Sequence, residues 1–310
     1  MKNLLNVGLL ALCLLAMAGC CHQSSICGDC RLYRDKIPGR KGMVADYDSM
    51  VFSSGGAEVY GQILKPDRSY GEGRPCVIIF HGFAGFARFD DIGQALCRSG
   101  CVVIIPHHRG AWGSQGKYSV TNCVQDAVNL VRYAQSDGFQ RKYHTGPQAV
   151  FLVGHSMGGN TVLNAAGQIS GVCGIVMLDP CDIGGMTLVT DKKTMIDFLV
   201  DNGLNILNTD GGEAVYRDLA THAEAYAYAN AVTRLNRTSV LRLDAQWGLD
   251  ETGERMKSFG DAVKRNKRVP RYIGKIYPCN HGMMGVRTMV SKDISDFIGI
   301  CLAPEAQFSR

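Results

Sequence analysis

Four short apolar runs, at residues 76–80, 101–105, 149–153 and 173–178, constrain the fold of this chain more than any other feature. None alternates polar with apolar residues, so each reads as a strand covered on both faces. Two more strands are expected at 240–243 and 271–277. Helical patterns separate them. Residues 89–99 place Ile92, Ala95 and Leu96 on one face, and 120–136 turn Val124, Val128, Leu130 and Val131 inward. Small residues fill a helix at 157–169, and further helices are expected at 252–265 and near 284–300. Strands that alternate with helices in this way imply an α/β fold, a mostly parallel sheet with helices on both faces. Two antiparallel strands, 47–53 and 57–64, precede it around Ser53-Ser54-Gly55-Gly56. Residues 182–236 have no strand signal and read as helices at 192–200 and 213–231. The connection is far longer than usual, which favours a small helical cap over two ordinary covering helices.

Composition closes off other classes. The chain has 310 residues, 46% hydrophobic and 20% charged, which is globular and long enough for one sizeable core. The 37 glycines have no fixed period. A net charge of +5 forms no basic stripe, so nucleic acid is not an expected partner.

Gly154-His155-Ser156-Met157-Gly158 matches G-x-S-x-G. The match gains weight from context: an apolar strand ends directly before it and a helix of small residues begins directly after it. Such a tight turn lifts the Ser156 hydroxyl above the sheet, and the flanking glycines let neighbouring backbone pass closely. From here, over roughly residues 47–300, the sequence resembles the α/β-hydrolase superfamily, including its bacterial esterases and dienelactone-hydrolase-like enzymes. The resemblance implies a nucleophile, an acid and a histidine in that chain order, and two backbone N–H donors for an oxyanion. Ser156 is the implied nucleophile. Its following residue, Met157, is one implied donor. Phe80-His81-Gly82-Phe83 matches the loop that supplies the other, the N–H of Phe83.

The general base is expected after the last strand, where Asn280-His281-Gly282 stands, because an imidazole titrates near neutrality. The other histidines stand before or beside the nucleophile or in connections. The acid is expected after the strand at 240–243, where Asp250 fits the pattern best. Asp244, Glu251 and Asp179 stay open as alternatives. His108-Arg109-Gly110-Ala111-Trp112-Gly113-Ser114 resembles a loop of bacterial acyl esterases. Arg109 would organise loops and Trp112 would line an acyl pocket, with a purely structural loop equally open.

These residues lead to an expected serine hydrolase that acts on a carboxylic ester through an acyl-enzyme, with Ser156, His281 and Asp250 as the triad. A serine peptidase or amidase is the first rival, and a non-catalytic ligand-binding envelope protein the second. No cofactor and no metal are expected, since there is no H-E-x-x-H, no phosphate-binding P-loop and no G-x-G-x-x-G after a strand.

The N-terminus carries Lys2, then an apolar run over 7–18, too short to span a bilayer comfortably. Met17-Ala18-Gly19-Cys20 resembles a bacterial lipoprotein cleavage box. The expected layout is a signal peptide at 1–19, a tether at 20–45 and a hydrolase domain at 46–310. Lipidation at Cys20 would anchor the chain to the cell envelope, the outer membrane before the inner. Of 13 cysteines, Cys21, Cys27 and Cys30 stand near the tether and could pair there. Cys76, Cys97, Cys101, Cys123 and Cys173 are expected to pack in the core.

Overall fold

A computed structural model describes residues 32–35, 38–39, 43–249 and 252–303. The signal segment, Cys20 and the three tether cysteines lie outside the described residues. Eight strands form one sheet: β1 (Asp46–Ser54), β2 (Ala57–Lys65), β3 (Arg74–Phe80), β4 (Val102–Pro106), β5 (Thr145–His155), β6 (Val172–Leu178), β7 (Ser239–Trp247) and β8 (Tyr272–Asn280). Their order is β1-β2-β4-β3-β5-β6-β7-β8. The β1–β2 and β2–β4 pairs are antiparallel, and every pair from β4 to β8 is parallel.

The reason for the uninterrupted apolar runs is visible residue by residue. Successive side chains of a strand point to opposite faces. Cys76, Ile78 and Phe80 of β3 join one core, with Val150 and Leu152 of β5. Val77 and Ile79 join the other, with Phe151 and Val153. Helices α1 (Asp90–Arg98) and α2 (Val120–Ala134) take opposite sides: Ile92 and Leu96 enter the second core, and Val124, Val128 and Val131 the first. Each such side chain, removed from water, contributes about 1.5–3 kcal/mol. A short helix α3 (Asp137–Tyr143) leads into β5, and α4 (Met157–Ala166) follows it.

The segment between β6 and β7 is helical: α5 (Ile183–Val189), α6 (Lys192–Asp201), a 3-10 turn at Leu204–Ile206, α7 (Gly212–Tyr226), α8 (Tyr228–Ala231) and a second 3-10 turn at Val232–Arg234. Two features differ from expectation. Helix α5 went unread because its sequence opens Ile-Gly-Gly; the Asp182 carboxylate caps it through Gly185 N–H at 2.9 Å. The single helix expected over 213–231 breaks at Ala227, whose ψ of 135° is extended. The same Asp182 oxygen accepts the Tyr228 N–H at 3.2 Å, so one carboxylate fixes the starts of α5 and α8 together. The 3-10 turn reaches the loop after β4: Asn208 exchanges backbone hydrogen bonds with Gly110 and Tyr118, each at 2.8 Å. Helix α7 packs against α2, where Asp218 accepts the Thr121 N–H at 3.0 Å. The insertion therefore covers the sheet face and also reaches loops at the strand ends.

Helix α9 (Glu254–Arg265) precedes β8, and α10 (Arg287–Leu302) closes the described chain. Within the stretch read as a tether, Leu32 is buried, and its carbonyl accepts two bonds from Arg98, at 2.8 and 3.2 Å. The eight described cysteines are free thiols. Cys76, Cys97, Cys101 and Cys123 are buried, as expected for core residues, while Cys173 is half-buried. Among the described residues no helix is long and apolar enough to cross a membrane.

Candidate active site

Strand β5 ends at His155, and helix α4 begins at Met157. Ser156 between them has φ 54° and ψ −121°, a conformation that costs a non-glycine residue about 1–3 kcal/mol. Neighbouring backbone enforces it. A Cβ on Gly154 would lie 2.1 Å from the Gly158 oxygen. The Ser156 N–H donates to the Leu178 carbonyl, and the Ser156 carbonyl accepts from Cys181, both at 3.0 Å. The elbow is thus stitched to the end of β6, where His155 and Leu178 are register partners.

The two expected oxyanion donors sit beside this turn. Met157 is the first residue of α4, so its N–H has no intrahelical partner. On the other side, a Cβ on Gly82 would come 2.8 Å from Ser156 Cβ, and only a glycine lets the 81–83 loop pass this closely. Phe83 follows directly. Its half-buried ring packs edge-on against Tyr118, with centroids 5.6 Å apart.

His281 lies in the turn after β8. Its Nδ1 is 2.5 Å from Oδ2 of Asp179, which is 1% exposed. Asp250, the expected partner, lies outside the described residues, as does Glu251. Among the described residues the carboxylate on His281 is that of Asp179, at the end of β6, one of the alternatives to a position after β7. The end of β7 and the loop after it donate the Ala245 and Leu249 N–H groups to Asp179, both at 3.1 Å. A Cβ on Gly248 would lie 2.1 Å from Asp179 Oδ2, so the loop closes tightly on it. Asp244, another alternative, is taken by Arg242 of its own strand at 2.7 Å, both buried. A sequence signal for Asp179 does exist: Leu178-Asp179-Pro180 puts a carboxylate directly at the end of a wholly apolar strand.

A carboxylate on Nδ1 fixes the tautomer of His281 with its proton there and leaves the Nε2 lone pair able to accept a proton. The other histidines nearby are held neutral by burial: His81 and His107 are pushed down to about 4, and His155 to about 3. His281, with 37% of its side chain exposed, contacts a buried carboxylate. Arg109 ties three segments together. It bonds to Asp126 through Nε at 2.6 Å, and Asp126 also accepts the Ser54 hydroxyl at 2.6 Å. Trp112 donates its indole N–H to Ala84 O at 2.8 Å and meets Phe86 edge-on at 5.8 Å, both rings largely exposed beside the oxyanion loop. Among the described residues no three His, Cys, Asp or Glu side chains cluster to hold a metal.

Elbow, parallel sheet and strand order decide the fold family. The chain has the α/β-hydrolase fold. A family model described as serine aminopeptidase, S33, matches residues 71–199 of this chain. Solved structures share its fold at low identity. A thermostable carboxyl esterase from Bacillus coagulans, in complex with glycerol, aligns with TM-score 0.63 at 17% identity, over 83% of this chain and 99% of its own. The α/β hydrolase GrgF from Penicillium sp. sh18 gives 0.62 at 16%, over 84% and 100%. Est1E from Butyrivibrio proteoclasticus gives 0.61 at 17%, over 83% and 99%. No curated protein sequence matches the chain.

Proposed function

We propose that the protein is an exported, lipid-anchored serine hydrolase that cleaves carboxylic esters. The Asp179–His281 contact carries the reading, because it orients one imidazole whose ring lies 4.5 Å from that of His155, the residue before the strained serine. Ser156 Oγ attacks the ester carbonyl as His281 Nε2 takes its proton. The tetrahedral oxyanion accepts the N–H groups of Phe83 and Met157, a contribution of about 3–4 kcal/mol per donor in comparable sites. The intermediate collapses, the C–O bond breaks, and His281 returns the proton to the leaving alcohol. Water then attacks acyl-Ser156 under the same base, releasing the carboxylic acid and the free hydroxyl. Asp179 orients His281 and balances the imidazolium that forms twice in the cycle.

Esterases among the structural neighbours support an ester substrate. The aminopeptidase family model favours a second reading, an amide or peptide bond in the same place. The deciding experiment treats the purified chain, beside Ser156→Ala, with a fluorophosphonate probe and then with matched ester and amide substrates. Labelling of the parent alone, with ester turnover ahead of amide, upholds the proposal. Absence of labelling in folded protein removes it. Lipid attachment has its own test: Cys20→Ala should move the protein from the membrane fraction to the soluble one.

A further inference from the structure

The turn that carries His281 is held by side chains the catalytic scheme does not use. The His155 Nε2 lies 2.8 Å from the carbonyl oxygen of His281. A carbonyl only accepts, so Nε2 carries the proton and donates. Arg287 grips the next carbonyl, that of Gly282, through Nε at 3.0 Å and Nη2 at 2.8 Å. Its third nitrogen reaches both oxygens of Asp91 on α1, at 2.8 and 3.1 Å. The two grips are joined. The Arg287 guanidinium lies 3.9 Å from the Phe89 ring centroid, Phe89 lies 4.6 Å from His155, and His155 lies 4.5 Å from the His281 ring.

We infer that His155 and Arg287 form a clamp on the two consecutive peptide carbonyls at His281 and Gly282, and that both are positioning residues for the hydrolysis proposed above. The inference rests on that reading of Ser156 and His281. Its physical basis is where each anchor comes from. His155 is the residue before the nucleophile and is 6% exposed, so it ties the base to the elbow itself. Its ring also passes the oxyanion loop, since a Cβ on Gly82 would stand 3.3 Å from His155 Nδ1. Arg287 ties the same turn to α1 on the opposite side. Downstream, the turn is already pinned by buried Met283, whose N–H donates to Asn280 O at 2.8 Å. The clamp fixes the part that Met283 does not, the two peptide units that aim the imidazole. Burial keeps His155 neutral, so it places no second charge beside the imidazolium that forms on His281.

The test uses His155→Leu, His155→Gln and Arg287→Met in the full chain. It measures ester turnover and hydrogen exchange of residues 279–286 by mass spectrometry. A misplacement of about 1 Å costs on the order of 100-fold in rate. His155→Leu should therefore lower kcat about 100-fold with KM within threefold, and speed exchange in 279–286 while β5 stays protected. His155→Gln, whose amide can reach the same carbonyl, should restore a large part of both. Arg287→Met, at a partly exposed position that leaves the cores intact, should reproduce the loss, and the double variant should lose far less than the product of the two. The clamp is overturned if His155→Leu keeps kcat within threefold, or if its exchange rises equally in β5 and in the turn. Exchange is read without substrate. A parent chain that neither turns over esters nor reacts with fluorophosphonate would sink the hydrolase reading, and unchanged exchange in the variants would sink the clamp by itself.

Discussion

Two aspartates stand near the ends of adjacent parallel strands, Asp179 after β6 and Asp244 within β7, and they serve opposite purposes. Asp244 is claimed by its own strand. Residues two apart share a face, so Arg242 reaches it with Nε and Nη2, at 2.7–3.0 Å, in a buried pair. Asp179 has no cation on its own strand's end. Its oxygens accept two peptide N–H groups from the neighbouring loop and keep one direction for His281. A carboxylate's place along the chain does not decide its role. What decides it is whether a guanidinium reaches it first.

The sharpest way to test this contrast is Asp179→Asn. An amide in this place can hold His281 in the wrong tautomer, and the expected loss in kcat is about 10⁴-fold with the fold retained. Steady-state kinetics with circular dichroism as a control would check it. A loss under tenfold would break the contrast. Asp244→Asn should do the reverse. It removes from buried Arg242 the ionised partner two residues on, a cost of up to about 3–5 kcal/mol, while kcat per folded molecule stays near the parent value. Urea unfolding against turnover of the folded fraction separates the two effects.

The difference between these aspartates also marks how far the sequence could be read. Ser156 is announced by an apolar strand before it and a small-residue helix after it, and His281 by its place in the turn after the last strand. The strands were legible because parallel strands buried on both faces leave unbroken apolar runs. The carboxylate that meets His281 was less so. Asp179 was one of four candidates, and choosing among them depends on the pairing of β6 with β5 and on the path of residues 245–249, neither of which is local. Helix α5 and the break at Ala227 share this problem, since both hang on Asp182 contacting Gly185 and Tyr228 at once. Arg242 was hidden for the opposite reason, as a lone cation in an apolar run that gives no hint of its partner two residues on.

Acid sensitivity extends the contrast from carboxylates to the histidines packed around the site. Burial lowers His81 and His107 to about 4 and His155 to about 3, from the ordinary 6.5. The unfolded chain then binds protons that the folded chain refuses. The stability of the neutral forms is complete above about pH 6.5 and is lost as pH falls toward the folded values. Each group contributes a slope of up to about 1.4 kcal/mol per pH unit in that window. Unfolding midpoints measured between pH 7 and 5 should fall steeply. His107→Gln should flatten that slope by one group's share, and an unchanged slope would remove His107 from the set.

The smallest expected effect is the most discriminating. Asp250 fits the pattern by which the acid is sought in sequence, and Asp179 occupies the contact with His281. If Asp179 orients the base, Asp250→Asn should alter kcat by no more than about twofold, within the ±0.5 kcal/mol typical of substitutions away from special features. The same assay as for Asp179→Asn measures it. A large loss at Asp250 with a small one at Asp179 would return the acid to the β7 loop and would mean that the buried carboxylate only braces that loop. Large losses at both would mean that the loop's hold on Asp179 is itself part of aiming His281.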